Sequence, residues 1–235
     1  MDHRCKTIIV EGLISSGKTT LTRELGRALG PATLVLMEPD EKAGANPYLA
    51  DYYAEPERWS CTMQVHMLSL RFRMHLLAQW HVMEGRGHAV MDRSFYGDTA
   101  FARLQLALGL LSEREFSTYS KLYHAMTASV LLPTICLRTL ISPATAIRRI
   151  ESRMLAETGR KCEIAISLEY LHGLDREIDH MVAVLRQQGV VVMDVPWDEK
   201  RDSEETRAGA IEGIAARINS LEPADAFLDM HRRSM

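Results

Sequence analysis

At 235 residues, with 46% hydrophobic and 25% charged residues, the chain has the composition of a globular protein and the length of one domain, or one domain with a lid. A formal net charge of -3 excludes the strongly basic balance of a protein that grips a nucleic-acid polymer through many phosphates, and directs attention to a small polar ligand. Cys5, Cys61, Cys136 and Cys162 are too scattered for a zinc site or a disulfide framework, no signal-peptide pattern is present, and no segment approaches the ~18 apolar residues of a membrane span, so a cytoplasmic protein with no membrane partner is expected.

Thr7 to Val10 is a short apolar run and predicts the first buried strand. It leads into Gly12-Leu13-Ile14-Ser15-Ser16-Gly17-Lys18-Thr19, then a helix from about Thr19 to Leu29. Two glycines permit a tight backbone whose N–H groups face phosphates, Lys18 reaches the β- and γ-phosphates, and the Thr19 hydroxyl suits Mg²⁺. The loop implies a nucleotide triphosphate but is silent about the acceptor.

Thr33 to Met37 predicts the second strand, with Glu38-Pro39 at its carboxyl end, where a carboxylate meets a ligand crevice and can deprotonate a hydroxyl. A helix from Pro47 to Tyr53 precedes a long one from Pro56 to Met83 that carries Gln64 and Arg71 two turns apart on one face. Ala89 to Met91 predicts the third strand, closed by Asp92-Arg93-Ser94. There a carboxylate can serve Mg²⁺, and an arginine can fix Glu38 or neutralise transferred phosphate. Taken singly, these residues read equally as solvated loop residues, a structural ion pair or a polar helix surface.

Helices follow over Tyr96 to Leu108 and Glu113 to Ser129, a strand over Leu131 to Leu137, helices over Pro143 to Glu157 and Ser167 to Gln188, a strand over Val190 to Val195, and a helix over Glu204 to Ser220. Strands alternating with helices predict an α/β three-layer sandwich, a five-stranded parallel sheet covered on both faces. Asp198 to Glu205 is charge-dense and reads as an exposed loop, and residues 222–235 have the weak periodicity of a mobile tail.

Glu38-Pro39, Tyr53-Ala54-Glu55-Pro56-Glu57-Arg58-Trp59 leading to Gln64, Asp92-Arg93-Ser94 with Tyr96 and Asp98, and Leu168-Glu169-Tyr170-Leu171 together resemble the deoxynucleoside kinase family, in particular its deoxycytidine, deoxyguanosine and deoxyadenosine kinase branch. The resemblance runs in order from about residue 5 to 197 and implies a P-loop kinase fold over residues 1–235, with an arginine-bearing lid at about 149–163. It further implies ATP as phosphate donor, Mg²⁺ as cofactor, a deoxynucleoside as acceptor and a homodimer built on the long helix. Met63, Met67, Leu70, Met74 and Leu77 of that helix read equally as core.

By the resemblance, Glu38 is the general base on the deoxyribose 5′-hydroxyl, Arg93 bonds it, Lys18 and the loop from Gly12 to Thr20 hold ATP, and Thr19 with Asp92 serves the metal. Tyr53 and Glu163 grip the 3′-hydroxyl, and Gln64 pairs with the base, with Met67 beside it. Arg149, Arg153 and Arg160 form the lid, which Met154 to Thr158 lengthen beyond the family spacing, and Trp197 with Asp198 falls where the donor's base is held. Arg71 and Asp98 occupy the two polar positions of the deoxycytidine and deoxyguanosine kinase branch, which favours a purine deoxynucleoside and keeps deoxycytidine as the alternative. Ala102 stands where that branch carries a phenylalanine that stacks on the base, with Phe101 one place away. A nucleoside monophosphate kinase of the thymidylate kinase type shares the loop and the Asp-Arg pair, and a nucleotide-binding switch shares the loop alone.

Overall fold

The alternation along β1 (Thr7–Gly12) separates the two faces of the sheet. Ile8 and Val10 join one apolar cluster, Ile9 joins another, and Glu11 follows Ile9 onto the second face. The structure, a computed structural model, describes residues 5–38, 46–156, 166–197 and 204–221. The strands β1, β2 (Leu34–Leu36), β3 (Ala89–Asp92), β4 (Ile135–Leu140) and β5 (Val191–Pro196) form one parallel sheet in the order β2-β3-β1-β4-β5. The chain leaves β1 for the edge at β2, returns to β3 beside β1, and then crosses to β4 on the other side. This reversal opens a crevice beyond the carboxyl end of β1.

Helices α1 (Lys18–Ala28) and α8 (Glu204–Ser220) cover one face, with Leu21, Leu25, Ile211 and Ile218 packed on Ile8, Val10, Ile135 and Leu137. The opposite face is covered by α3 (Pro56–Met83), α4 (Phe95–Ala107) and α7 (Leu168–Gln187) through Met74, Leu104, Leu174 and Ile178. The short α2 (Leu49–Ala54) lies against α3, as does α5 (Glu113–Thr127), while α6 (Pro143–Ala156) packs on α7. Local chemistry sets the helix starts: Pro56 occupies the first turn of α3, Ser94 and Ser167 cap α4 and α7, and Ser112 with Glu115 closes a reciprocal capping box at α5.

The expected sheet and helix order holds, with one displaced strand. β4 begins at Ile135 rather than Leu131 and runs on through Arg138, Thr139 and Leu140. Leu131 is 41% exposed and its N–H donates to the Gln79 side chain, so the apolar residues before Pro133 belong to the approach and not to the ladder. β1 and β3 likewise extend past their apolar runs to take in Glu11, Gly12 and Asp92. Of the apolar residues of the long helix, Met63, Met67 and Met74 are buried in the core, whereas Leu77 is 49% exposed.

Gly26 shows how tightly α1 sits on the sheet. A Cβ there would lie 2.2 Å from Val35 Cγ2 on β2. Alanine ordinarily stabilises a helix over glycine by about 1 kcal/mol, but Val35 is β-branched and has little rotamer freedom to yield, and overpacking costs about 1–3 kcal/mol. Gly26→Ala should therefore lower the unfolding free energy in denaturant titration, and adding Val35→Ala should recover part of the loss.

Candidate active site

A cavity of about 540 Å³ opens at the crevice, lined by the phosphate loop, α2, α3, α4 and the carboxyl ends of β2 and β3. Ile14, Ser15, Gly17, Lys18 and Thr19 form its loop wall, Leu13 turns into the core, Gly12 and Ser16 are buried beneath, and Thr20 lies in the first turn of α1. The loop is braced from below. Ser16 Oγ and Thr139 Oγ1 lie 2.6 Å apart, and Thr139 Oγ1 donates to the Glu11 carbonyl at 3.0 Å, which is why β4 needs its polar end.

Gly17 adopts φ 88°, and the indole edge of Trp197 occupies the space where its side chain would stand, 2.2 Å from an ideal Cβ. Trp197 is 4% exposed and is not among the residues lining the cavity. Its carbonyl accepts from Arg149 Nη1 at 3.0 Å, which ties the loop to α6. Lys18 folds back to donate to the Leu13 carbonyl at 2.5 Å. Burial, with Arg93 nearby, draws its pKa down to about 7 against the opposing pull of Asp92, Glu38 and Glu11.

Thr19 Oγ1 donates to Asp92 Oδ2 at 2.6 Å, and the other oxygen of Asp92, Oδ1, is buried without a partner among the described residues. A hydroxyl with free lone pairs beside a carboxylate with an unsatisfied oxygen fits a hard, oxygen-seeking cation such as Mg²⁺.

The wall facing the loop is a chain of charge. Arg71 is 4% exposed and ion-pairs with Glu38 Oε1 through Nη2 and with Asp98 Oδ1 through Nη1, so one guanidinium bridges α3, the end of β2 and α4. Arg93 Nε stands 3.5 Å from Glu38 Oε2, its Nη1 donates to the Gly12 carbonyl at 3.2 Å, and its guanidinium lies over Phe101 at 5.1 Å. Arg93 adopts φ 66°, a left-handed backbone that costs a non-glycine residue about 1–2 kcal/mol and turns the chain sharply at the end of β3. Burial alone would raise the pKa of Glu38, but Arg71, Arg93 and Lys18 outweigh it and hold the carboxyl below the usual range. Asp92 is pushed up, by burial first and then by Glu38.

Gln64 and Asp98 also line the cavity, almost fully buried, and Gln64 Oε1, Arg71 Nε and Asp98 Oδ2 have no hydrogen-bond partner among the described residues. Tyr53, Met67, Arg149 and Arg153 are on the wall as well. Arg160, Glu163 and Asp198 lie outside the described residues. Phe101 rather than Ala102 faces the cavity. Asp98, Phe101 and Gln105 recur at helical spacing on one face of α4, while Ala102 packs behind it with Leu68 and Phe95.

Sequence reading missed Gln105, Tyr52 and Tyr170 as wall residues. Gln105 Nε2 donates to the Tyr52 hydroxyl at 3.1 Å, and Tyr52 is hydrogen-bonded in turn with Tyr170. The i, i+7 relation of Gln105 to Asp98 was the signal available for it.

Gly17→Ala would set a Cβ against Trp197 in a left-handed backbone. Calorimetric titration should show ATP affinity falling at least about tenfold, the scale of a 1.4 kcal/mol loss.

The family model described as Deoxynucleoside kinase matches residues 8–219. The chain is 32% identical over 197 residues to a deoxyguanosine kinase of Dictyostelium discoideum, covering 84% of this chain and 66% of that protein. It is 28% identical over 215 residues to a deoxyadenosine/deoxycytidine kinase of Bacillus subtilis, covering 90% and 93%. Among solved structures, deoxyadenosine kinase from M. mycoides with bound dATP superposes with a TM-score of 0.71 at 25% identity, over 92% of this chain and 100% of that one. A matched family model across most of the chain, on the sheet order and phosphate loop described above, leads to one conclusion: the chain belongs to the deoxynucleoside kinase family.

Proposed function

We propose that the protein transfers the γ-phosphate of ATP, with Mg²⁺, to the 5′-hydroxyl of a deoxynucleoside, favouring purine deoxynucleosides, with deoxycytidine as the alternative. The observation that carries the base preference is the trio of unpartnered buried atoms Gln64 Oε1, Arg71 Nε and Asp98 Oδ2 beside the cavity. Leaving such atoms unpaired costs about 1–3 kcal/mol each, so a ligand that satisfies them gains affinity and specificity together. Two of the three are acceptors. An exocyclic amine of adenine, guanine or cytosine supplies donors to them, whereas the carbonyl that thymine carries in the corresponding position would face the Asp98 carboxylate. The relatives named as deoxyguanosine and deoxyadenosine kinases favour the same reading. Family membership weighs against the thymidylate-kinase-type and switch alternatives.

In this reading Glu38 accepts the 5′-hydroxyl proton as that oxygen attacks the γ-phosphorus. Lys18, Arg93 and the lid arginines Arg149, Arg153 and Arg160 offset charge on the equatorial oxygens. Mg²⁺, held by Thr19 and Asp92, would neutralise charge on the phosphates. Tyr53 and Glu163 orient the sugar, and Met67 bounds the base. Homodimerisation draws support from Leu77 and Trp80, 49% and 57% exposed on α3. Among the described residues no helix is long and apolar enough to cross a membrane.

Parallel assay of the deoxynucleosides with ATP and Mg²⁺ should show deoxyadenosine or deoxyguanosine phosphorylated fastest; thymidine as best substrate would sink the base assignment. Glu38→Gln should lower kcat by about 10²-fold or more while deoxynucleoside binding persists. Because the arginines hold Glu38 below its usual range, the base stays ionised well into acid. The acid limb of wild-type kcat should therefore lie below the ordinary glutamate value of about 4.3.

A further inference from the structure

Glu11 is completely buried at the end of β1, on the cavity side of the sheet, yet its side chain does not line the cavity. A carboxylate in such a place costs several kcal/mol unless something compensates it. Among the described residues its side chain hydrogen-bonds with Ser94, whose hydroxyl donates to Glu11 Oε1 at 2.5 Å. The direction is forced. Ser94 Oγ already accepts from Tyr96 N at 3.2 Å and Gly97 N at 3.4 Å as the cap of α4, so its single proton has to go to Glu11.

The carboxylate lies over the first turn of α4. An ideal Cβ on Gly97 would stand 2.5 Å from Oε2, so this approach depends on glycine. A carboxylate at a helix N-terminus is favoured by the helix dipole. Arg93 sits between the two anchors: its N–H donates to Val10 O at 3.0 Å, just before Glu11, and its next residue is Ser94. The side chain of Arg93 is otherwise held by a 3.2 Å bond to the Gly12 carbonyl, a 3.5 Å approach to Glu38 and the face of Phe101.

We infer that Glu11 is a positioning residue for Arg93. Through Ser94 it fixes the left-handed turn that aims the guanidinium, and its charge keeps Arg93 in place when Glu38 takes up the substrate proton and ceases to attract it. This rests on Glu38 being the proton acceptor. The charges around Glu11 agree with a role through Arg93: burial raises its pKa, and Arg93 is the largest opposing influence, ahead of Ser94, Arg71 and Lys18. From β4, Arg138 stands opposite Glu11 in the ladder but pairs with Asp175 and Asp179, and the Cys136 thiol is kept protonated by burial and Glu11.

Glu11→Gln keeps the size and the acceptor for Ser94 and removes the charge. We expect kcat to fall about tenfold or more, with the dissociation constants for deoxynucleoside and ATP changed less than about threefold. Placed in an Arg93→Lys background, the same change should cost less than about threefold in kcat, because residues acting as a unit are not additive. Ser94→Ala, which keeps the carboxylate and breaks the bond, should show the same split and the same non-additivity, and it decides the matter if Glu11→Gln does not fold. Wild-type kcat in Glu11→Gln, losses confined to KM, or full multiplication of the losses in the Arg93→Lys background would each overturn the inference. Glu38→Gln separates the underlying reading: near-normal turnover there overturns the proton-acceptor role and this inference with it. Loss of turnover there with unchanged kcat in Glu11→Gln overturns this inference alone.

Discussion

Charges withdrawn from water together govern this structure. At the carboxyl ends of β1, β2 and β3 the cations Lys18, Arg71 and Arg93 meet the carboxylates Glu11, Glu38, Asp92 and Asp98, all but Glu38 nearly or wholly buried. Each ion alone would cost several kcal/mol to bury, and neutralising one would leave its partner exposed to the same penalty. The cluster is therefore stable only as a set. The parallel sheet brings it together, because β1, β2 and β3 end on the same side and in register, with Val10 beside Asp92.

Around that cluster the backbone accepts strain that packing alone would not call for. Arg93 is left-handed, as is Ser15 in the phosphate loop. Both stand where a side chain or a row of N–H groups has to face the cavity; Val10 O holds the N–H of Arg93, and Trp197 closes over Gly17, two residues past Ser15. The apolar clusters on the two faces of the sheet supply the rigidity. The phosphate loop thus rests on β4 through Thr139 and on the β5 end through Trp197, so its geometry depends on strands that do not line the cavity.

Much of this was legible in the sequence. The Gly12 to Thr19 pattern located the loop, apolar runs located the strands, and Glu38, Gln64, Arg71, Asp92, Arg93 and Asp98 do converge on one cavity. The errors share a physical origin. Apolar runs mark strands, but the carboxyl end of a strand in such a sheet is where polar residues are recruited, so an apolar run places β4 too early and leaves the burial of Glu11 unmarked. Periodicity cannot show that Phe101, and not Ala102, faces the cavity unless the helix is phased from Asp98. Nor does periodicity show that Trp197 turns inward against Gly17.

The sharing of Arg71 between Glu38 and Asp98 joins two tasks usually treated apart. With the roles proposed above, a base that draws on Asp98 alters how much of the guanidinium remains for the carboxylate that receives the proton. Recognition then enters the energy of the chemical step as well as that of occupancy. A poorly matched base would be a slow substrate even when it saturates the site, and fidelity in such a kinase would be kinetic in character, set by how one cation divides its attention.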